Sequence, residues 1–458
     1  MTLTAEQILA LAPDPASAKA GNAQSSPSHW SGLGGHEQAL WGLCQGSGKE
    51  PYKAQIDLAG PAFKCSCPSR KFPCKHGLGL YLLYEKQRAA FSDTAAPAWV
   101  TDWLQSREQK IEKKAARLAE AELAQTPEEI EAKAHSQQKR QDKREANVGA
   151  GCDLLETWLA DLAREGLAGL RARPAGDWEA MAARMVDAQA GGLAARIRRA
   201  GMLVYGSSQP GWEIPLAREL AQLALLVRGY RRIASLPRGL QDDVRGALGW
   251  VSGVDEALAE PGVADLWRVC GNHTQEDERI GRRACYLRGR QSGRWAMLLQ
   301  FSAGAQALPP PLIPGTCHQG RLHFYPGANP LRAAFGADMA LCEAAPGEAG
   351  DAGAAAPAAL LGDYAQALAR NPFLELQPML LDQVAPHYAG GPSPHWLLRA
   401  ADGTALPLEG RFRHGWQLHA LAGGAAATVF GLWNGYALLP LAITVGARLH
   451  GFDGENPQ

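Results

Sequence analysis

Three thiols and one imidazole fall within the twelve-residue run Cys65-Ser66-Cys67-Pro68-Ser69-Arg70-Lys71-Phe72-Pro73-Cys74-Lys75-His76. Thiolate sulfur and neutral imidazole nitrogen favour Zn2+ over Mg2+ or Ca2+, and four such donors complete a tetrahedral shell. The spacing makes that shell reachable. On an extended chain residues i and i+2 point to one side, so Cys65 and Cys67 present their sulfurs together. Pro68 turns the chain out of the pair, and the six residues after Cys67 are enough to bring Cys74 back. Cys74 and His76 stand where a helix is expected to begin, and a helix N-terminus offers partial positive charge to thiolates. Three thiolates and one Zn2+ leave a net negative charge, which Lys64, Arg70, Lys71 and Lys75 are placed to offset. These four cations are also the candidate contacts for a nucleic acid or a protein partner.

Other chemistries fit this segment less well. A Cys65–Cys67 disulfide would be strained, and an iron–sulfur cluster prefers four cysteines. A catalytic zinc keeps one position open for water, whereas four protein donors close the shell. The expectation is therefore a structural zinc site, with no catalytic residue assigned. Such a site contributes on the order of 10–16 kcal/mol to a small fold, so the module around it should loosen without metal. Elsewhere Cys317-His318 with His323, and Cys270 with His273, are faint metal pairs lacking a second pair nearby. Phosphate-loop, nucleophile-elbow and H-E-x-x-H patterns do not occur.

The elements that must position the ligands come next. Residues 39–44 read as a strand, residues 52–58 alternate as a second, and residues 62–64 form a third leading into Cys65. Leu78, Leu80, Leu82 and Leu83, with Tyr81 and Tyr84, predict a helix over 77–88 packed on the hairpin. A short helix is expected over 4–11, and residues 13–32, rich in Ser, Pro, Ala and Gly, read as loop. The segment 93–150 reads as a charged helical linker. Its most basic part, residues 137–144, is placed to touch phosphate, although Asp142 and Glu145 dilute it. Residues 151–250 predict a helical domain of roughly four or five helices. From residue 260 to 458 the period shifts toward two, giving a β-rich region with one helix over 358–369. Residues 416–421 are among its expected strands, and Asp402-Gly403 and Asn434-Gly435 are hairpin turns. No charge falls between Ala420 and Ala447, but Gly423, Gly424, Asn434-Gly435 and Pro440 break that run into buried strands rather than a membrane span.

The ligand spacing C-x-C-x6-C-x-H resembles the SWIM zinc finger, and Cys65, Cys67, Cys74 and His76 each match a family ligand. The module resembling it covers about 41–88 within an N-terminal region of 1–92. The wording Trp41-Gly42-Leu43-Cys44-Gln45-Gly46-Ser47-Gly48 and Arg184-Met185-Val186-Asp187-Ala188-Gln189 is similar to bacterial SWIM-type domain-containing proteins of this size. The resemblance implies a β-hairpin plus helix around zinc, and binding of DNA or protein. It also implies a possible association with an AAA+ ATPase and von Willebrand factor A system.

Bulk properties set the remaining bounds. A chain of 458 residues suggests roughly two to four domains. Its 46 basic residues balance 46 acidic ones, so any nucleic-acid argument must be local. Nine cysteines, an odd number and mostly scattered, do not make a disulfide scaffold. The N-terminal residues lack a basic stretch followed by an apolar one, and a cytoplasmic location is expected. The expected fold class is α+β multidomain, and the leading functional expectation is a non-catalytic, zinc-stabilised adaptor for a protein partner. A DNA-binding protein using the basic module is the alternative, and an enzyme with an unrecognised C-terminal site is a third.

Overall fold

The structure, a computed structural model, describes the chain apart from residues 1–2, 4, 10, 14, 37, 47–49, 59–61, 70, 110–126, 207–210, 251, 278–279, 304–307, 343–352, 392–393, 447 and 453–458. The side chains of residues 6, 15, 127–134, 136–138, 276–277, 280 and 303 also lie outside the description.

The N-terminal region begins with helices α1 (Ala5–Leu9) and α2 (Pro15–Ala23). Strands β1 (Trp30–Gly35), β2 (Ala39–Cys44), β3 (Tyr52–Asp57) and β4 (Ala62–Cys65) follow, and then helix α3 (Lys75–Lys86). The strands form an antiparallel sheet in the order β1-β2-β3-β4, so the expected hairpin is the middle of a four-stranded sheet. Alternation divides the strands between two faces. Leu40, Cys44, Ala54 and Ile56 face a core with Leu78, Leu80, Leu82 and Leu83 of α3 and with Ile8 of α1. Ala39 and Trp41 face the other way, against Val100 of a further helix, α4, described over residues 98–109. Gln55 donates to the Trp99 carbonyl, and Arg107 pairs with Asp57 at 3.1 Å. Part of the segment expected to be an exposed linker is thus packed on the sheet.

The loop expected over 13–32 is a helix, a single 3-10 turn and a strand instead. Its small residues are there for packing rather than flexibility. At Gly21 of α2 an added Cβ would stand 2.7 Å from the Leu78 Cβ, so a small residue lets the two helices lie together.

Helix α5 (Pro127–Glu165) leads into α6 (Ala175–Asp187), α7 (Gly191–Tyr205), α8 (Glu213–Arg231) and α9 (Arg238–Ala247). They share a core that includes Leu155, Trp178, Met185, Ile197, Leu223 and Val244. A short helix, α10 (Val254–Ala259), closes the helical part.

Strands β5 (Val263–Asp277), β6 (Ile280–Gly289), β7 (Trp295–Ala303), β8 (Cys317–Phe324), β9 (Ala333–Phe335) and β10 (Ala340–Cys342) build a second antiparallel sheet. Helix α11 (Pro357–Arg370) then precedes β11 (Gln377–Ala389), β12 (His395–Ala400) and β13 (Ala405–Pro407). Helix α12 (Gly415–Ala422) and strands β14 (Ala427–Trp433), β15 (Leu438–Val445) and β16 (Arg448–Gly451) complete a third sheet. Its order is β13-β12-β11-β14-β15-β16. The two sheets share a core in which Cys270 and Tyr286 meet Leu380, Phe430 and Leu441.

Residues 416–421 are helical, not the expected strand. Leu418 and Ala422 are buried one turn apart while Trp416 is exposed, a helical rather than a strand pattern. Gly423, at φ +60°, ends the helix in the left-handed conformation. The uncharged run over 420–447 resolves into the end of α12 and the buried strands β14 and β15. No helix among the described residues is long and apolar enough to cross a membrane.

Candidate metal centre

Strand β4 delivers the first ligand pair. Cys65 is its last residue and pairs with Ala54 of β3. The ladder is prolonged by Ser66, which donates through its N–H to the Lys53 carbonyl and accepts at Oγ from the Lys53 N–H. That pair of hydrogen bonds to β3 fixes the chain on which Cys67 follows. The return run brings Cys74 to the N-cap of α3, with extended backbone at φ −76° and ψ 163°. Its sulfur accepts from the Gly77 N–H at 3.5 Å, as an N-cap side chain does. His76 lies in the first turn, buried at 5 % exposure. Gly77 is needed beside it, because a Cβ there would stand 2.9 Å from the Phe63 ring.

The four donor atoms converge. All lie within 4.8 Å of one another. His76 Nδ1 is 3.8 Å from Cys65 Sγ and 4.0 Å from Cys74 Sγ. Zinc with ordinary Zn–S and Zn–N bonds needs tetrahedral edges of about 3.5–3.8 Å, so small inward movements complete the shell. Three soft sulfurs and one imidazole therefore fit zinc, and zinc is the cofactor of this site. It fastens the end of β4 to the start of α3.

Without an ion the thiols share their protons unequally. The hydrogen bond with Cys65 lowers the Cys74 pKa most, aided by His76 and the Gly77 N–H and opposed by burial. The same hydrogen bond, with burial, raises Cys65. Burial also raises Cys67. A metal ion displaces these protons as it binds. Cys44 remains a thiol: burial pushes it up to about 11, and it donates toward Gln24 instead.

Aromatic rings wall the centre. Tyr52 lies 5.0 Å from the His76 ring, and Phe63 packs edge-on against Phe72 and tilted against Tyr81. The Tyr52 contact is not legible in the sequence, where Tyr52 is one alternating strand residue 24 positions before His76. Cross-strand pairing with Cys44 is what aims it at the site.

The expected basic patch divides. Lys64, Lys71 and Lys75 are exposed around the centre, and Arg70 lies outside the described residues. Lys86, at the end of α3, and Arg88, just after it, are engaged within the fold. Lys86 donates to Asn22 and Ser25, tying α3 to the end of α2, and Arg88 stands over the Tyr84 ring. Phe72, 43 % exposed, lies among the exposed lysines in sequence.

The faint metal pairs do not assemble. Among the described residues the Cys65–His76 set is the one group of three or more clustered donors. His318 packs beside Phe335, and His323 Nδ1 lies 2.9 Å from the Glu260 carbonyl oxygen.

Comparison with known proteins agrees with this geometry. Residues 64–85 match the SWIM zinc finger, and residues 143–248 match the SWIM-associated four-helix bundle domain. The first match spans the four ligands and most of α3; the second spans the later part of α5 through α9. No curated protein and no solved structure matches the chain.

Proposed function

We propose that this SWIM zinc-finger protein is a non-catalytic adaptor, in which zinc stiffens a surface that docks an acidic segment of a protein partner. The observation that carries the reading is the closed donor set, four protein ligands with no position left for substrate, beside the exposed cations Lys64, Lys71 and Lys75. Phe72 adds an apolar anchor to that charged surface, the mixture that protein interfaces favour. A cytoplasmic location belongs to the same proposal, since reduced thiolates persist there. An AAA+ ATPase or a von Willebrand factor A protein is the first partner to try.

Affinity capture with the zinc-loaded full chain, beside Cys74→Ser and a Lys64→Glu/Lys75→Glu double variant, tests the proposal. A partner held by the native chain and lost from both variants supports it. Duplex DNA provides the competing outcome. Binding to DNA whose affinity falls steeply with salt, and which the lysine reversals abolish, would replace the adaptor reading.

A further inference from the structure

A cavity of about 850 Å3 opens where the helical bundle meets the second sheet and the segment after α11. Its lining includes seven arginines and four carboxylates, so positive charge is in excess. Two of those arginines, Arg196 and Arg199, are already engaged by Glu219 and Glu375. Arg144 donates through Nη2 to the Gly249 carbonyl at 3.2 Å, which leaves its charge without a carboxylate there. Arg245 approaches Glu145 and Asp242 only at 4.0 Å each, the outer limit of an ion pair. Asp243 is committed to the backbone N–H of Ala328.

The arrangement around Trp250 is the more specific observation. Arg144 of α5 and Arg245 of α9 both stand against its ring, at 4.7 and 5.7 Å from the centroid. Arg144 Nε, Arg245 Nε and Trp250 Nε1 are each shielded from water and donate to nothing. Buried donors normally find acceptors, and an isolated orphan is uncommon. Three around one ring, on a cavity wall rich in guanidinium, indicate that the missing partner carries acceptors and negative charge. The basic stretch over 137–144, singled out in the sequence, supplies Arg140 and Arg144 to this wall.

We propose that this cavity binds a compact oligophosphate, as the free anion or as the phosphate chain of a nucleotide. Its volume suits a small ligand rather than a duplex. Guanidinium groups present paired N–H donors to phosphate oxygens, and a ligand that draws Arg144 and Arg245 toward it would give their Nε–H groups an acceptor. The base of a nucleotide gains little here. Arg144 and Arg245 already lie on the Trp250 ring, and Arg332 lies over Tyr325 at 4.0 Å. Recognition therefore rests on phosphate.

Calorimetric titration of the zinc-loaded full chain with inorganic tripolyphosphate tests the assignment, with ATP and GTP as parallel probes. One saturable site per chain is expected, with all three ligands within a few-fold of one another. Arg144→Gln and Arg245→Gln should each weaken binding about tenfold, as loss of a charged hydrogen bond does. Lys64→Gln, at the zinc module, should leave it unchanged. Arg144→Lys keeps the charge but loses the Nε–H, and should fall between native and Arg144→Gln; it also serves if the glutamine variant does not fold. No saturable tripolyphosphate binding, or ATP binding without tripolyphosphate, would overturn the proposal. So would affinity indifferent to both arginine variants, or duplex DNA binding more tightly through the same arginines.

Discussion

Cys74 serves the centre in two ways. It is a metal ligand, and its sulfur caps α3 by accepting from Gly77. Cys74→Ser preserves a capping oxygen but removes a soft donor, so the two roles separate. Zinc content should fall from one per chain to near zero, measured by elemental analysis after desalting. Hydrogen exchange should speed up over 62–86 while the amides of α6 to α8 stay protected. One retained zinc per chain would refute the ligand assignment. The ligands were legible in the sequence because metal chemistry demands particular residue types at short spacing. The walls were not: Tyr52 reaches His76 through strand pairing, and neither type nor spacing encodes that.

Among the elements, those with strong apolar periodicity were legible and those built from small residues were not. Strands β2 and β3 and helix α3 follow their leucines and alternation, whereas α2 is made mostly of Ala, Ser, Gly and Asn and reads as loop. Its role is close approach. Gly79 of α3 makes the same point from the other side, since a Cβ there would lie 2.5 Å from the Gln24 Cβ and 3.0 Å from its backbone. Gly79→Ala should therefore destabilise the N-terminal region by about 1–3 kcal/mol through overpacking, despite alanine's better helix propensity. Chemical denaturation followed at far-UV wavelengths checks it, and a stabilised variant would contradict the packing. Strand β11 was hidden for another reason. Pro378 and Pro386 lie within it, and prolines read as breaks, yet Pro386 pairs with Leu398 and a bulge at Gln383 redirects the strand.

At the scale of the whole molecule, charge holds the bundle to the β-rich region. Arg196, buried on α7, meets Glu219 of α8 at 3.5 Å and Glu375, two residues before β11, at 2.6 Å. Breaking a buried pair leaves a charge stranded at a cost of about 3–5 kcal/mol, but here Glu375 remains as a second partner. Glu219→Gln should cost less, about 2 kcal/mol, read from the denaturation midpoint at constant m-value. A Glu219→Gln/Glu375→Gln pair should cost more than the sum of the single changes, because it alone leaves Arg196 without a counter-charge. The arrangement of these regions was not legible in the sequence, since Arg196 and Glu375 are 179 positions apart.

The zinc-bearing sheet is a filling between two helices, α3 on one side and α4 on the other. A biochemist wishing to excise the finger would be misled by its ligands, all of which precede residue 77. Cutting after residue 92 strips the cover from Trp41 and leaves Asp57 without Arg107, so that fragment should clump in size-exclusion chromatography even when zinc is supplied. A cut after residue 109 keeps the cover, and the longer piece should run as a monodisperse, metal-loaded species.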